Sequence, residues 1–385
     1  MNTDPGGRPR LRLLDPAERP GVLPELLEVV EHRKSGLSLN WIVGCPLDCG
    51  YCVRHLFGNF GMKVPRALTS DAEAVEALVG HPHFTPHRTP VQLLNRATDP
   101  FLPAVKPHLF AVLRELDARG LTNHVLVITR WRVEAEDCVE LNALRHLKVT
   151  LLVTWSGIDD ERVEPVDSDI AARSLHTAHR HADRYRTVLY WRPVVPGLND
   201  SDTHLTRAAE LADHAHATVF TGLFYRDEIQ SYYRDHGLPE PYEDTARRKI
   251  LPRDLEHRAL RAFGPGRRLF RKTSCAVAFT HALPDYNGHR GILELCGICP
   301  AEQVRRCATA WTRPEPALAA ALVHGLGGRL VEVGERALIV EGLDEQRRYR
   351  VQHELGYQVH DAGLPHHPDR HGRAEIGWPT RQDAS

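Results

Sequence analysis

LSLNWIVGCPLDCGYC, residues 37–52, opens as an apolar run and ends in Cys45, Cys49 and Cys52 at C-x3-C-x2-C spacing. The run predicts a buried strand over 37–43 that delivers the cysteines to a loop directly after it. Three thiolates at this spacing can bind three irons of a [4Fe–4S] cube and leave the fourth iron without a protein ligand. That open iron is what a chelating cosubstrate needs. The other readings of the same residues are buried thiols or a zinc knuckle, in which His55 would complete a closed tetrahedral site.

Working outward, QLLNR (92–96), HVLVITR (124–130), VTLLVTW (149–155), TVLYWRP (187–193) and TVFTGLF (218–224) predict five further strands. Helices fit between them. Ser70 with Glu73 forms a capping-box pattern before Val75, Leu78 and Val79, and Leu109, Val112, Leu113 and Leu116 make an apolar face ended by Gly120. Weaker helical patterns occupy 133–147, 168–182 and 201–214. Six strands alternating with helices predict an α/β chain with a parallel sheet and right-handed crossovers, as an open doubly wound sheet or a partial (β/α)6 barrel. In either, chemistry sits at the carboxyl ends of the strands.

After about residue 225 the alternation stops. A charged helical stretch (251–263) and a basic strand-like piece, GRRLFRKTSC (266–275), lead to a second cysteine group. RLVEVGERALIVEG (329–342) predicts a β-hairpin turning near Gly334-Glu335. The expected organisation is an arm over 1–35, a partial barrel over 36–225, a cysteine-containing region over 226–312 and a small β-containing segment over 313–385.

The C-x3-C-x2-C loop, its aromatic Tyr51 and the strand–helix alternation over about 38–225 together resemble the radical S-adenosylmethionine (SAM) superfamily. The resemblance implies a TIM-like partial barrel and a [4Fe–4S] cluster on Cys45, Cys49 and Cys52. It also implies SAM as cosubstrate, a flavodoxin or ferredoxin-type electron donor, and hydrogen abstraction by a 5′-deoxyadenosyl radical. Tyr51 would lie against the adenine. The loop after the second strand, Asn95-Arg96-Ala97-Thr98-Asp99-Pro100-Phe101, lacks the usual Gly-Gly-Glu, and its Thr-Asp-Pro-aromatic run resembles the spore photoproduct lyase branch. Asn95, Thr98 and Asp99 are therefore the expected SAM amine contacts. Thr129, Arg130, Thr154 and Ser156 stand where this family binds ribose and carboxylate. Arg192, in WRPVVPGLND (191–200), is the expected carboxylate clamp, since a guanidinium can engage a carboxylate through two hydrogen bonds.

Cys275, Cys296, Cys299 and Cys307 supply the four thiolates that a second [4Fe–4S] cluster or one zinc ion requires. Cys275-x15-Gly291-x4-Cys296 resembles the opening of SPASM and twitch auxiliary-cluster domains, in which a hairpin carries the first two ligands. The immediate Cys299 and the missing later cysteine run depart from that pattern. An auxiliary cluster would relay electrons, anchor substrate or donate sulfur.

The bulk composition narrows the partners. Lys+Arg 49 against Asp+Glu 50 gives a formal charge of -1, which argues against a long nucleic-acid track. No segment has the apolar length of a signal peptide or a bilayer span, so the expected location is cytoplasmic. The expected substrate is a small organic molecule, with a nucleoside or nucleotide favoured by the Thr-Asp-Pro run. DNA photolesion repair, peptide modification and a non-catalytic redox sensor are the rivals. Cys138 reads as a buried helix residue, and Tyr225, Tyr232 and Tyr233 as packing or a substrate mouth. The arginines at 258, 261, 267, 268 and 271 read as a solvated face, a phosphate site or a docking face for an acidic redox partner. His353, His360, His366, His367 and His371 read as a polar loop.

Overall fold

The computed structural model describes residues 11–15, 17, 24–246, 249–290 and 292–363. Gly291, His366, His367 and His371 of the sequence reading lie outside them. The strands in chain order are β1 (Val30–Arg33), β2 (Gly36–Leu39), β3 (Ile42–Val43), β4 (Arg66–Ala67), β5 (Val91–Leu93), β6 (His124–Thr129) and β7 (Lys148–Trp155). They continue as β8 (Arg186–Val194), β9 (Ala217–Gly222), β10 (Leu269–Phe270), β11 (Arg329–Val333), β12 (Ala337–Glu341) and β13 (Gln358–Asp361). The helices begin with α1 (Pro24–Leu27), α2 (Asp71–Val79), α3 (Lys106–Ala118), α4 (Ala135–Ala143), α5 (Ser168–Arg180), α6 (Asp202–Ala212) and α7 (Asp227–Asp235). They end with α8 (Arg253–Phe263), α9 (Thr273–Thr280), α10 (Leu293–Cys296), α11 (Ala301–Ala310), α12 (Pro316–Gly325) and α13 (Glu345–Leu355).

One eight-stranded sheet, in the order β1-β2-β5-β6-β7-β8-β9-β10, organises the chain. All neighbours from β2 to β10 pair in parallel, and β1 adds antiparallel to β2. Strands β1 and β10 are its two edges, so the (β/α)6 succession makes a partial barrel. The predicted strand 37–43 divides in two: β2 stays in the sheet, and β3 leaves it to pair with β4. Asn40 marks the break. Its backbone N–H still reaches the Val29 carbonyl at 2.8 Å, and its side-chain N–H donates to the Ser38 hydroxyl at 2.6 Å, before the chain turns away into β3.

Side chains two apart on a strand share a face, and here the two faces have different covers. Val127, Leu151, Val153, Leu189 and Phe220 pack outward with Leu109, Leu113, Leu175 and Leu255 of the helices. Leu126, Leu152, Val188, Tyr190 and Val219 face the other way, against Cys275, Ala276 and Val277 of α9. Full burial of each such aliphatic side chain contributes roughly 1.5–3 kcal/mol. The inner face is thus filled by the helix that carries Cys275, the first member of the second cysteine group.

Three expectations are corrected. Residues 24–33 are no loose arm: β1 extends the sheet, and buried Arg96 anchors it through an ion pair with Glu31 and donation to the carbonyl of Glu28 at 3.2 Å. The strand-like 266–275 is a strand only over Leu269–Phe270, and Cys275 sits on α9, not on a hairpin. The cause is the apolar stretch Ala276–Phe279, which folds as a helix because its apolar face meets the sheet. Residues Pro316–Asp361 form the expected hairpin β11–β12, but α12, α13 and a parallel β13 complete a unit with its own core. His353 and His360 therefore lie on α13 and β13 and not in a loop.

Candidate active site

The first cysteine loop is held by backbone contacts that the sequence can make only at glycines. Gly44 has φ +94, and a Cβ there would lie 2.4 Å from the Val64 carbonyl oxygen. Gly50 donates to the Val163 carbonyl at 2.9 Å, and a Cβ on it would strike the Tyr232 ring at 2.8 Å. Cys45 and Cys49 are buried and Cys52 is half-buried. Inside the loop, buried Arg54 donates to the carbonyls of Cys45 at 2.9 Å and Met62 at 3.2 Å, and also to Leu47. A single guanidinium thus ties the strand exit to the loop's far side.

Burial pushes the Cys45 and Cys49 thiols up, and the Arg54 and Arg130 guanidiniums respectively oppose that push. The positive charges therefore sit where thiolates would need them. His55, the alternative zinc donor, stacks on Phe60 with ring centroids 3.7 Å apart, and its Nε2 has no hydrogen-bond partner. Burial lowers its pKa to about 4.

The expected SAM contacts divide into braces and open donors. Asp99 accepts from the Thr129 hydroxyl at 2.7 Å and from the backbone N–H groups of Arg130 and Phe101, each at 2.9 Å. Three of about four acceptor positions on that carboxylate are thereby occupied, two by the end of β6 and one by Phe101 of Asp99's own loop. Asn95 accepts from Ser38 and donates to Gln92 at 3.1 Å. By contrast, Thr98 Oγ1, Thr154 Oγ1 and Arg192 Nε are buried polar atoms with no hydrogen-bond partner. Buried donors are rarely left unpaired without a ligand or water to satisfy them. The Arg192 guanidinium lies 4.0 Å from the Tyr190 ring centroid, and with Lys249 it holds that phenol down to about 7 against the upward push of burial.

Tyr51 and Arg130 meet at a residue that sequence reasoning missed. The Tyr51 hydroxyl donates to the Glu164 carboxylate and accepts from Arg130, whose guanidinium also stacks 4.9 Å from the Tyr51 ring centroid. Arg130 and Glu164 pair at 3.1 Å, and Ser156 Oγ donates to the same carboxylate at 3.0 Å. Glu164 lies in the loop between β7 and α5, and no local pattern marks it. Asn199 of the Pro-Gly-Leu-Asn-Asp turn donates to the Ser156 carbonyl at 2.6 Å, so that turn supports the same cluster. Ser201 caps α6.

The second group also gathers. Cys275, Cys296, Cys299 and Cys307 line one small hollow together with Asp285, His289, Gln303 and Val304. Burial pushes the Cys275 thiol up, and Cys307 Sγ accepts from the Asp285 backbone N–H at 3.4 Å and from Gln303 Nε2 at 3.4 Å. The donors fit an iron–sulfur cluster or a zinc ion.

The remaining signals take bland roles. Cys138 is buried in α4, and Tyr225 and Tyr233 are fully buried in the core that surrounds Cys49. Tyr232 covers the loop and donates to the Arg162 carbonyl at 2.8 Å. Arg258, Arg267 and Arg271 pair with Asp200, Asp213 and Glu256 respectively. That basic stretch is largely neutralised. Among the described residues, no helix is long and apolar enough to cross a membrane.

No protein-family model matches the chain, and no curated protein matches it. Among solved structures, spore photoproduct lyase complexed with dinucleoside spore photoproduct aligns at 13% identity and TM-score 0.47, covering 64% of this chain and 80% of that one. Streptococcus suis SuiB bound to S-adenosylmethionine aligns at 10% identity and TM-score 0.37, covering 57% of this chain and 45% of that one. The functional reading rests on this chain's own residues.

Proposed function

We propose that the chain is a radical SAM enzyme that abstracts hydrogen from a small organic substrate. The observation that carries the reading is the C-x3-C-x2-C loop itself, buried at the carboxyl end of a parallel sheet with Arg54 and Arg130 beside its thiols. Cys45, Cys49 and Cys52 would hold a [4Fe–4S] cluster. Held there, the group would supply the single electron for reductive cleavage of SAM, the source of the 5′-deoxyadenosyl radical. The unpartnered Thr98, Thr154 and Arg192 atoms are the donors that SAM or substrate would satisfy. Tyr51, Arg130, Ser156 and Glu164 form the wall beside the cysteines, while Asp99 ties the loop after β5 to the end of β6.

Cys275, Cys296, Cys299 and Cys307 are proposed to hold a second [4Fe–4S] cluster that serves as electron relay, substrate anchor or sulfur donor. A flavodoxin or ferredoxin-type protein would supply electrons. The Thr98-Asp99-Pro100-Phe101 run favours a nucleoside or nucleotide substrate, and the neutralised basic stretch argues against a long DNA track.

Anaerobic reconstitution followed by iron and sulfide counting tests the reading. Two cubes require about eight irons per chain, and SAM with dithionite should then yield 5′-deoxyadenosine. The triple variant Cys45→Ala, Cys49→Ala, Cys52→Ala should retain the second centre and lose all SAM cleavage. Full iron loading without SAM cleavage would sink the enzyme reading and favour a redox sensor.

A further inference from the structure

His289 is fully buried, and its two ring nitrogens have different surroundings. Nδ1 lies 3.5 Å from Asp285 Oδ2, 3.2 Å from Ser274 Oγ and 3.9 Å from Cys275 Sγ. Nε2 is buried with no hydrogen-bond partner. Asp285 is itself fixed, because Oδ2 accepts the backbone N–H groups of Asn287 at 3.0 Å and His289 at 2.8 Å. With its proton on Nδ1, facing that carboxylate and the Ser274 hydroxyl, the ring would keep the Nε2 lone pair for a ligand, which is how metal-ligating histidines are oriented.

The location adds an independent argument. His289 and Asp285 line the same hollow as all four cysteines of the second group. Ligand atoms of Cys275, Asp285 and His289 lie within 4.8 Å of one another, close enough to share one metal ion. Six donors thus surround a centre that needs four. The cysteine count alone therefore does not settle which atoms bind.

Resting on the proposal that these cysteines form a metal centre, we propose that His289 is a nitrogen ligand of that centre, oriented by Asp285. The second centre then has mixed cysteine–histidine coordination, and one of the four cysteines is left outside the first coordination shell. Asp285 acts as a positioning residue, since it fixes the ring without needing to touch the metal.

The test uses the full chain carrying the triple alanine change at 45, 49 and 52, so that only the second centre holds metal. It is loaded anaerobically with iron and sulfide, and in parallel with zinc alone, and the metal-edge X-ray absorption spectrum is read for imidazole scattering. The expected result is an imidazole signature that is lost in His289→Phe, with metal affinity down on the order of 10–100-fold or more. His289→Cys should restore metal content with sulfur in place of nitrogen, which separates loss of a ligand from loss of fold. Asp285→Asn should keep the imidazole signal and weaken metal binding on the order of 10–100-fold.

An all-sulfur shell that is identical in the parent and in His289→Phe would overturn the assignment while leaving the iron–sulfur reading intact. Loading by zinc but not by iron and sulfide would remove the cluster reading, with imidazole scattering at the zinc edge still supporting His289. Failure to bind either metal would overturn both.

Discussion

Arg130 and Glu164 are both well buried and lie at the mouth of the first cysteine loop, 3.1 Å apart. A buried charge without its partner is strongly destabilising, on the order of 3–5 kcal/mol, because nothing else replaces the lost hydration. Glu164→Gln keeps the size of the side chain and removes the charge that balances Arg130. We expect it to lower the unfolding free energy read from urea denaturation by an amount in that range and to weaken SAM binding measured by equilibrium dialysis. A wild-type unfolding curve for this variant would mean that the pair is already solvated. The arginine was legible from its place at a strand end. The glutamate was not, because its importance comes from a loop folding back over Tyr51 and not from its neighbours in sequence.

The helix-and-strand elements were mostly visible beforehand, since their signals are local. Ser70 accepts from the Glu73 backbone N–H and Glu73 returns a bond to the Ser70 N–H, as the sequence pattern predicts. Ser70→Ala should therefore cost about 1 kcal/mol, read as a shift in urea midpoint with unchanged slope. A cost near zero would show that docking of α2 dominates over its cap. Less local features were misread. The stretch around Cys275 looked like a strand because Leu269 and Phe270 are one, and the switch to α9 comes from packing against Leu126, Leu152 and Tyr190. Asn40, where β2 ends, likewise accepts the backbone N–H of Arg96 at 3.4 Å through its side-chain oxygen, a partner that the sequence does not bring near.

Across the whole molecule, several histidines are buried neutral and tie separate parts together. Burial lowers His32 to about 2, and His32 Nε2 meets His353 Nδ1 at 2.8 Å where α13 docks on β1. Burial likewise lowers His124 and His353 to about 4. Each native pKa lies below the unfolded value near 6.5, so the unfolded chain takes up protons first as pH falls. Stability should be full above about pH 6.5 and decline toward pH 4, by about 1.4 kcal/mol per pH unit for each such histidine. His124→Phe suits the test, because His124 Nδ1 has no partner and its ring already packs between His281 and Tyr286. Urea unfolding at several pH values between 7 and 5 should show a slope shallower by about one proton in the variant. An unchanged slope would place His124 in contact with water.

The amino-acid order by itself determined the alternating strands and helices, the two cysteine groups and the donors at the strand ends. Those features are written in short-range spacing, and spacing controls periodicity, caps and chelate size. Only the tertiary structure decided that Glu164 closes over Tyr51 and Arg130, that Asp99 ties its loop to the end of β6, and that α9 fills the inner face of the sheet. It also brought Asp285 and His289 to the hollow of the second cysteine group. These are contacts between loops and elements distant in sequence, and they are selected by burial and by the need to satisfy buried charges and hydrogen bonds.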